Sequence, residues 1–199
     1  EALNFSTPTD GLLFISDADE IPETGSLIKA SGIAAFTGEP IPLEMADCMY
    51  YLDYASDAFH REPFIYNPTK AEAFHSKFTN AEGQHPPYDP AHIRFHVAAY
   101  GYYEDFQPAL KKAGWHFTMM GGNDSIRKKI ASYSHVELNR EELTNDKYLD
   151  DCKEKGVRFL DTAITWDKAS YKYEKKGASF LPEHVQNNLE KYKHLLCAP

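Results

Sequence analysis

Gly11-Leu12-Leu13-Phe14-Ile15-Ser16-Asp17-Ala18-Asp19-Glu20-Ile21-Pro22 is the stretch on which both fold and function turn. Its first six residues form a short apolar run of the kind that makes a buried strand, and the run ends abruptly in three carboxylates within four residues. In open α/β sheets ligands bind beyond the carboxyl ends of the strands, so the end of this strand is where a phosphate-bound metal is expected. Pro22 lacks the N–H that would continue a ladder. Two aspartates one residue apart share a space only if the backbone turns between them, and Pro22 indicates that it does. Such a pair binds Mg²⁺ or Mn²⁺ directly or through water, and the metal neutralises a leaving diphosphate. Taken alone, the Asp-x-Asp tripeptide is common, and two surface acids in a turn is its ordinary meaning.

Outward from this stretch the pattern is that of an α/β protein. Ser26 to Ser31 is expected as a short helix before Gly32, and Pro42 to Tyr54 as one or two aromatic-rich strands. Ala55 to Pro68 reads as hairpin or loop containing a second strand at Phe64-Ile65-Tyr66. A helix is expected over Thr69 to Phe78, a proline-rich loop over Asn80 to Pro90, and a half-buried strand over Ile93 to Tyr103. Ala113 to Thr118 is a further strand, ending at Gly121-Gly122. Three helices follow: one capped by Asn123 and running to about Ser134, with Ile126 and Ile130 on one face; one over Thr144 to Gly156; and one over Pro182 to Leu196, with Val185, Leu189, Tyr192, Leu195 and Leu196 as its apolar stripe.

The 199 residues, 42% hydrophobic and 14% aromatic, suffice for one substantial core, since a domain of this size buries roughly 70% of its unfolded surface. With no repeat and no low-complexity linker, residues 1–199 read as a single domain. Thirty acidic against 21 basic residues give a formal charge of -9, which repels a phosphate backbone. The basic clusters Arg127-Lys128-Lys129 and Lys172 to Lys176 are too short to reverse that, so no nucleic-acid partner is expected. Cys48, Cys152 and Cys197 have neither CxxC spacing nor a nearby His pair, which argues against a zinc site or a disulfide framework. Mean hydropathy is -0.55, no apolar run approaches the roughly 18 residues that cross a bilayer, and no signal-peptide pattern opens the chain. The chain as given reads as soluble. Its compartment stays open, because an anchor or targeting segment upstream of Glu1 is compatible with all of this.

Four blocks, in order, resemble glycosyltransferase family seventeen, whose animal member adds the bisecting N-acetylglucosamine to N-glycans. FISDADEIP from Phe14 resembles the family's metal motif. PLEMADCMYYLDY from Pro42 resembles its strand segment, and AGWHFTMMGGNDSIRKKIASYS from Ala113 its second signature. His135-Val136-Glu137-Leu138-Asn139, Leu181-Pro182 and NLEKYKHLL from Asn188 resemble its tail. The resemblance implies a GT-A-like fold, a mixed sheet flanked by helices, and inverting transfer from UDP-N-acetylglucosamine to a glycan or glycoprotein acceptor with Mn²⁺ or Mg²⁺. It also implies earlier strands that hold uracil and ribose. Only about ten residues precede the Asp17 strand, so the chain is expected to be an N-terminally incomplete catalytic domain that binds UDP-sugars weakly, turns over little, and self-associates through an exposed sheet edge.

Carried onto this sequence, the resemblance makes Asp17 and Asp19 the metal and diphosphate residues. Glu20 contacts the donor sugar or orders the turn. His116 is the additional metal or diphosphate ligand, against the alternative of a core histidine paired to a backbone carbonyl. Inversion requires a general base for the acceptor hydroxyl. Asp124, after the Gly121-Gly122 turn at the start of a helix, is the first candidate, with Glu44 and Asp47 in reserve; an acid in the first helical turn also simply suits the macrodipole. Trp115 either stacks on a sugar face or belongs to the core. Gly121 and Gly122 admit close approach of backbone to donor or make a tight turn. Two other functions stay open: a transferase of the same fold with another nucleotide sugar, and a non-catalytic glycan- or partner-binding module that has lost donor binding.

Overall fold

The computed structural model describes residues 11–38, 40–60, 63–67, 109–132, 138–158 and 172–197. The expected helix over 69–78, the loop over 80–90 and the strand over 93–103 lie outside the described residues. Strands β1 (Leu13–Ile15), β2 (Glu20–Pro22), β3 (Ile41–Pro42), β4 (Met45–Met49), β5 (Tyr54–His60), β6 (Phe64–Tyr66), β7 (Gly114–Thr118) and β8 (Tyr173–Lys175) accompany helices α1 (Thr24–Thr37), α2 (Asn123–Ser132), α3 (Glu141–Thr144), α4 (Asp146–Lys155), α5 (Glu183–Gln186) and α6 (Leu189–Tyr192). The chain divides into two compact units, Glu1–Met45 with His60–Gly114 and Ala46–Phe59 with Trp115–Pro199.

In the first unit β6 lies between β1 and β3 and is antiparallel to both, with Ile65 opposite Phe14 on one side and Ile41 on the other. A central strand buries both faces, which is why Phe64-Ile65-Tyr66 is apolar throughout and fully buried, while the edge strand β1 is only partly so. Strand β1 matches the expected strand, but its pairing is antiparallel, so the carboxyl-end rule of parallel sheets does not apply to it. Helix α1 sets Ala30 and Ala34 against Ile41, Leu43, Met45, Ile65 and Ala113. Glu23 caps it by accepting from the Gly25 and Ser26 amides. The helix passes straight through Gly32, where the sequence suggested a stop, and ends at Gly38, whose φ of 76° is the left-handed C-terminal cap. A helical glycine only weakens a helix; a left-handed one ends it.

In the second unit the strands run in the order β7-β4-β5-β8. β4 and β7 are parallel and β5 and β8 antiparallel, so the sheet is mixed, and helices pack on it: an α/β protein. One core joins Met49, Tyr50, Met119 and Tyr173 to Ile126 and Ile130 of α2, Leu143 of α3 and Leu149 and Cys152 of α4. Asn145 caps α4 by accepting from the Tyr148 amide, and Gly156, at φ 64°, ends it. Strands β5 and β6 do not form the expected hairpin: β5 pairs with β8, and β6 with β1 and β3.

The helix expected over 182–196 is broken. Asn188 leaves the helical region at φ -135° and ψ 37°, and its side-chain amide donates to the His184 carbonyl at 2.8 Å, a local bond that competes with the helical ladder. The face was nevertheless right, since Val185, Leu189, Tyr192, Leu195 and Leu196 all pack with Leu52 and Leu181. Among the described residues no helix is long and apolar enough to cross a membrane.

Candidate functional site

The carboxylates after β1 sit on a turn. The Glu20 amide donates to the Asp17 carbonyl at 3.2 Å, and the Glu20 side chain reaches back so that its Oε2 accepts from the Asp17 amide at 2.6 Å. Residue 20 thus holds residue 17 through both backbone and side chain. Glu20 Oε1 is 2.5 Å from His60 Nε2, and the Glu20 side chain is 0% exposed against 14% for His60. Of the two roles expected of Glu20, ordering the turn is the one its contacts perform. Asp17 is exposed and Asp19 partly so. A Mg²⁺ or Mn²⁺ of the diphosphate-binding kind keeps waters and takes one or two carboxylates plus phosphate oxygens. Asp17 and Asp19 supply that donor set at an accessible turn, so the residues fit such an ion. Among the described residues no group of three or more His, Cys, Asp or Glu side chains is placed to hold a metal; a two-carboxylate site completed by substrate falls below that number.

Strand β7 brings His116 opposite Asp47 of β4 in the parallel register, with His116 Nδ1 at 3.2 Å from Asp47 Oδ1. The other Asp47 oxygen accepts from the Tyr173 hydroxyl at 2.5 Å and from Arg158 at 3.3 Å. Burial by itself raises the Asp47 pKa, but the His116 hydrogen bond, the Arg158 charge and the Tyr173 hydroxyl together hold it below the ordinary carboxylate value. Burial, and then the Asp47 charge, push the Tyr173 hydroxyl far up, so it remains a donor. An ionised Asp47 can only accept, so the His116 Nδ1 carries the hydrogen of this bond. A carboxylate behind an imidazole is the arrangement that orients histidine ligands. His116 is therefore paired to a buried carboxylate.

Asp17, Asp19 and Glu20 belong to the first unit, and Trp115, His116, Gly121, Gly122 and Asp124 to the second. The Trp115 indole donates to the Phe180 carbonyl at 2.8 Å, and its ring stacks on Phe117 with an interplanar angle of 4°, which makes it part of the local packing. Gly121 and Gly122 have φ of 86° and 84°, a pair of left-handed residues that only glycine adopts readily. The Gly122 carbonyl accepts from the Ile126 amide at 3.0 Å, so the turn leads directly into α2. Asp124 is 85% exposed and 2.5 Å from Arg127, which also holds Asp146 at 2.7 Å.

Of the reserve bases, Glu44 is buried in the first unit and Asp47 is the hub just described. His60, Tyr173 and Arg158 were not singled out from the sequence. Asp47 and His116 carried a readable signal, each being the one acidic or basic residue in its strand, Met-Ala-Asp-Cys-Met and Gly-Trp-His-Phe-Thr. No family model, no curated protein and no solved structure matches the chain.

Proposed function

We propose that the chain is the catalytic domain, or part of one, of a GT-A-type inverting glycosyltransferase that moves N-acetylglucosamine from UDP-N-acetylglucosamine to a glycan acceptor, as its resemblance to glycosyltransferase family seventeen implies. The observation that most supports this reading is the turn after β1, where two carboxylates one residue apart are accessible on a backbone held by a buried third. Asp17 and Asp19 would hold Mn²⁺ or Mg²⁺, which when bound neutralises charge on the leaving diphosphate. Glu20 keeps the turn in shape. The resemblance makes His116, which Asp47 holds within the second unit, a further metal or diphosphate ligand. Gly121 and Gly122 present backbone without side chains, and Asp124 is the candidate base, accessible to a large acceptor.

The test is calorimetric titration of UDP with and without Mn²⁺ into the wild-type protein and the Asp17→Ala and Asp19→Ala variants. Metal-dependent binding that disappears in both variants is the expected result. Metal-independent binding that survives in both sinks the donor site and favours a binding module. Where transfer is measurable, Asp124→Asn is expected to lower kcat by about two orders of magnitude or more with little change in KM.

A further inference from the structure

We infer that Glu20 and His60 are positioning residues for the metal turn, a latch that holds Asp17 and Asp19 in the geometry the cation needs. The inference rests on the reading of those two aspartates as the donor-metal ligands. Ion binding by two carboxylates on a short turn is opposed by the freedom that turn must lose, so a turn already fixed binds more tightly. The fixing here is specific. Glu20 engages Asp17 twice, through its own amide at 3.2 Å and through Oε2 at 2.6 Å. Its remaining oxygen meets His60 at 2.5 Å. His60 is the last residue of β5, forty positions along the chain, so the turn is tied to a separate element of the fold rather than to itself. The side chain of Glu20 is 0% exposed, which limits competition from water for its two contacts. Ala18, at the tip, is exposed; Asp17 and Asp19 flank it, one on each side of the portion that the latch braces.

Histidine is the place to test this, because it lies one step removed from the ligands and is itself partly exposed, so its replacement leaves the Asp17–Glu20 bonds formally intact. His60→Ala removes the tie. His60→Gln restores an N–H at the position of Nε2. Binding of Mn²⁺ in the presence of UDP is followed by electron paramagnetic resonance of the free ion in the wild type, His60→Ala, His60→Gln and Asp17→Ala/Asp19→Ala proteins, with melting of the metal-free proteins alongside. Loss of a supporting contact of this kind weakens metal binding about tenfold; His60→Ala is expected to do so, His60→Gln to recover most of it, and the recovery to be independent of any change in Tm. Equal Mn²⁺ affinity in wild type and His60→Ala, with binding abolished in Asp17→Ala/Asp19→Ala, overturns the latch while leaving the donor site standing. Binding that persists in Asp17→Ala/Asp19→Ala overturns the donor site itself and the latch with it.

Discussion

Two buried carboxylates, Glu20 in the first unit and Asp47 in the second, each meet a histidine, and they do opposite work. Glu20 spends one oxygen on a backbone amide and the other on His60, so the object being held is a turn and the histidine is the support. Asp47 holds His116, Tyr173 and Arg158 at once, so the histidine is the object being held and the carboxylate is the support. The difference follows from local structure. A carboxylate one residue past a tight turn finds amides within reach. One in the middle of a strand, where the sheet already occupies the backbone, must find side chains. Glu20 is therefore a local device, and Asp47 a joint among three side chains from β7, β8 and the segment after α4.

The largest effect that separates them is on stability. Asp47→Ala removes a carboxylate partner from His116, Tyr173 and Arg158 at once, and breaking a buried charged network of this kind costs about 3–5 kcal/mol. Glu20→Ala removes one partner from the Asp17 amide and one from a partly exposed ring, for which about 1–3 kcal/mol is expected. Urea denaturation of the two variants measures both. Equal losses would mean that the turn is as deeply built into its unit as the Asp47 joint is into the other, and the contrast drawn above would fail.

The second way to sharpen the contrast is pH. The folded-state pKa of Asp47 is depressed, so its contribution to stability is fully present above the unfolded value near 3.9 and is lost as pH falls through the lower folded value. Wild-type protein is therefore expected to lose stability steeply below about pH 4. Asp47→Asn, less stable at neutral pH, should show a flatter dependence in that acid range. Parallel acid profiles for the two proteins would assign the acid sensitivity to other carboxylates.

The same contrast shows what was legible in the residues. Strand β1, the turn after it, strand β7 and the α2 and α4 helices were all readable, because apolar runs, caps and terminal glycines act within a few positions. The turn that carries Asp17 and Asp19 was readable for the same reason, and the Glu20 contacts within it are local as well. His60 was not, since its relation to Glu20 spans forty residues and leaves no periodic trace. Tyr173 and Arg158 were invisible in the same way. The β5–β8 pairing was also hidden: Phe64-Ile65-Tyr66, close behind β5, looked like the nearer hairpin partner, and only packing directs it to β1 and β3 instead. The broken C-terminal helix shows the converse, a correct apolar face whose continuity was decided by the backbone of Asn188.

The smallest expected effect lies in α1, which follows the Glu20 turn. Gly32 is exposed in the body of that helix, and a methyl group added there would meet no heavy atom within 4 Å. Gly32→Ala should therefore stabilise the protein by about 0.4–1 kcal/mol, mainly by narrowing the unfolded ensemble. A small rise in Tm in a thermal melt checks it. A fall in Tm would mean that the chain needs glycine's freedom at this position and that the helix ends where the sequence first suggested, before Gly32. Combined with Glu20→Ala, the substitution should be additive, because the two sites share no partner among their described contacts. An additive pair would place the Glu20 device in the turn alone, whereas a coupled pair would extend it into the helix and draw it closer in kind to the Asp47 joint.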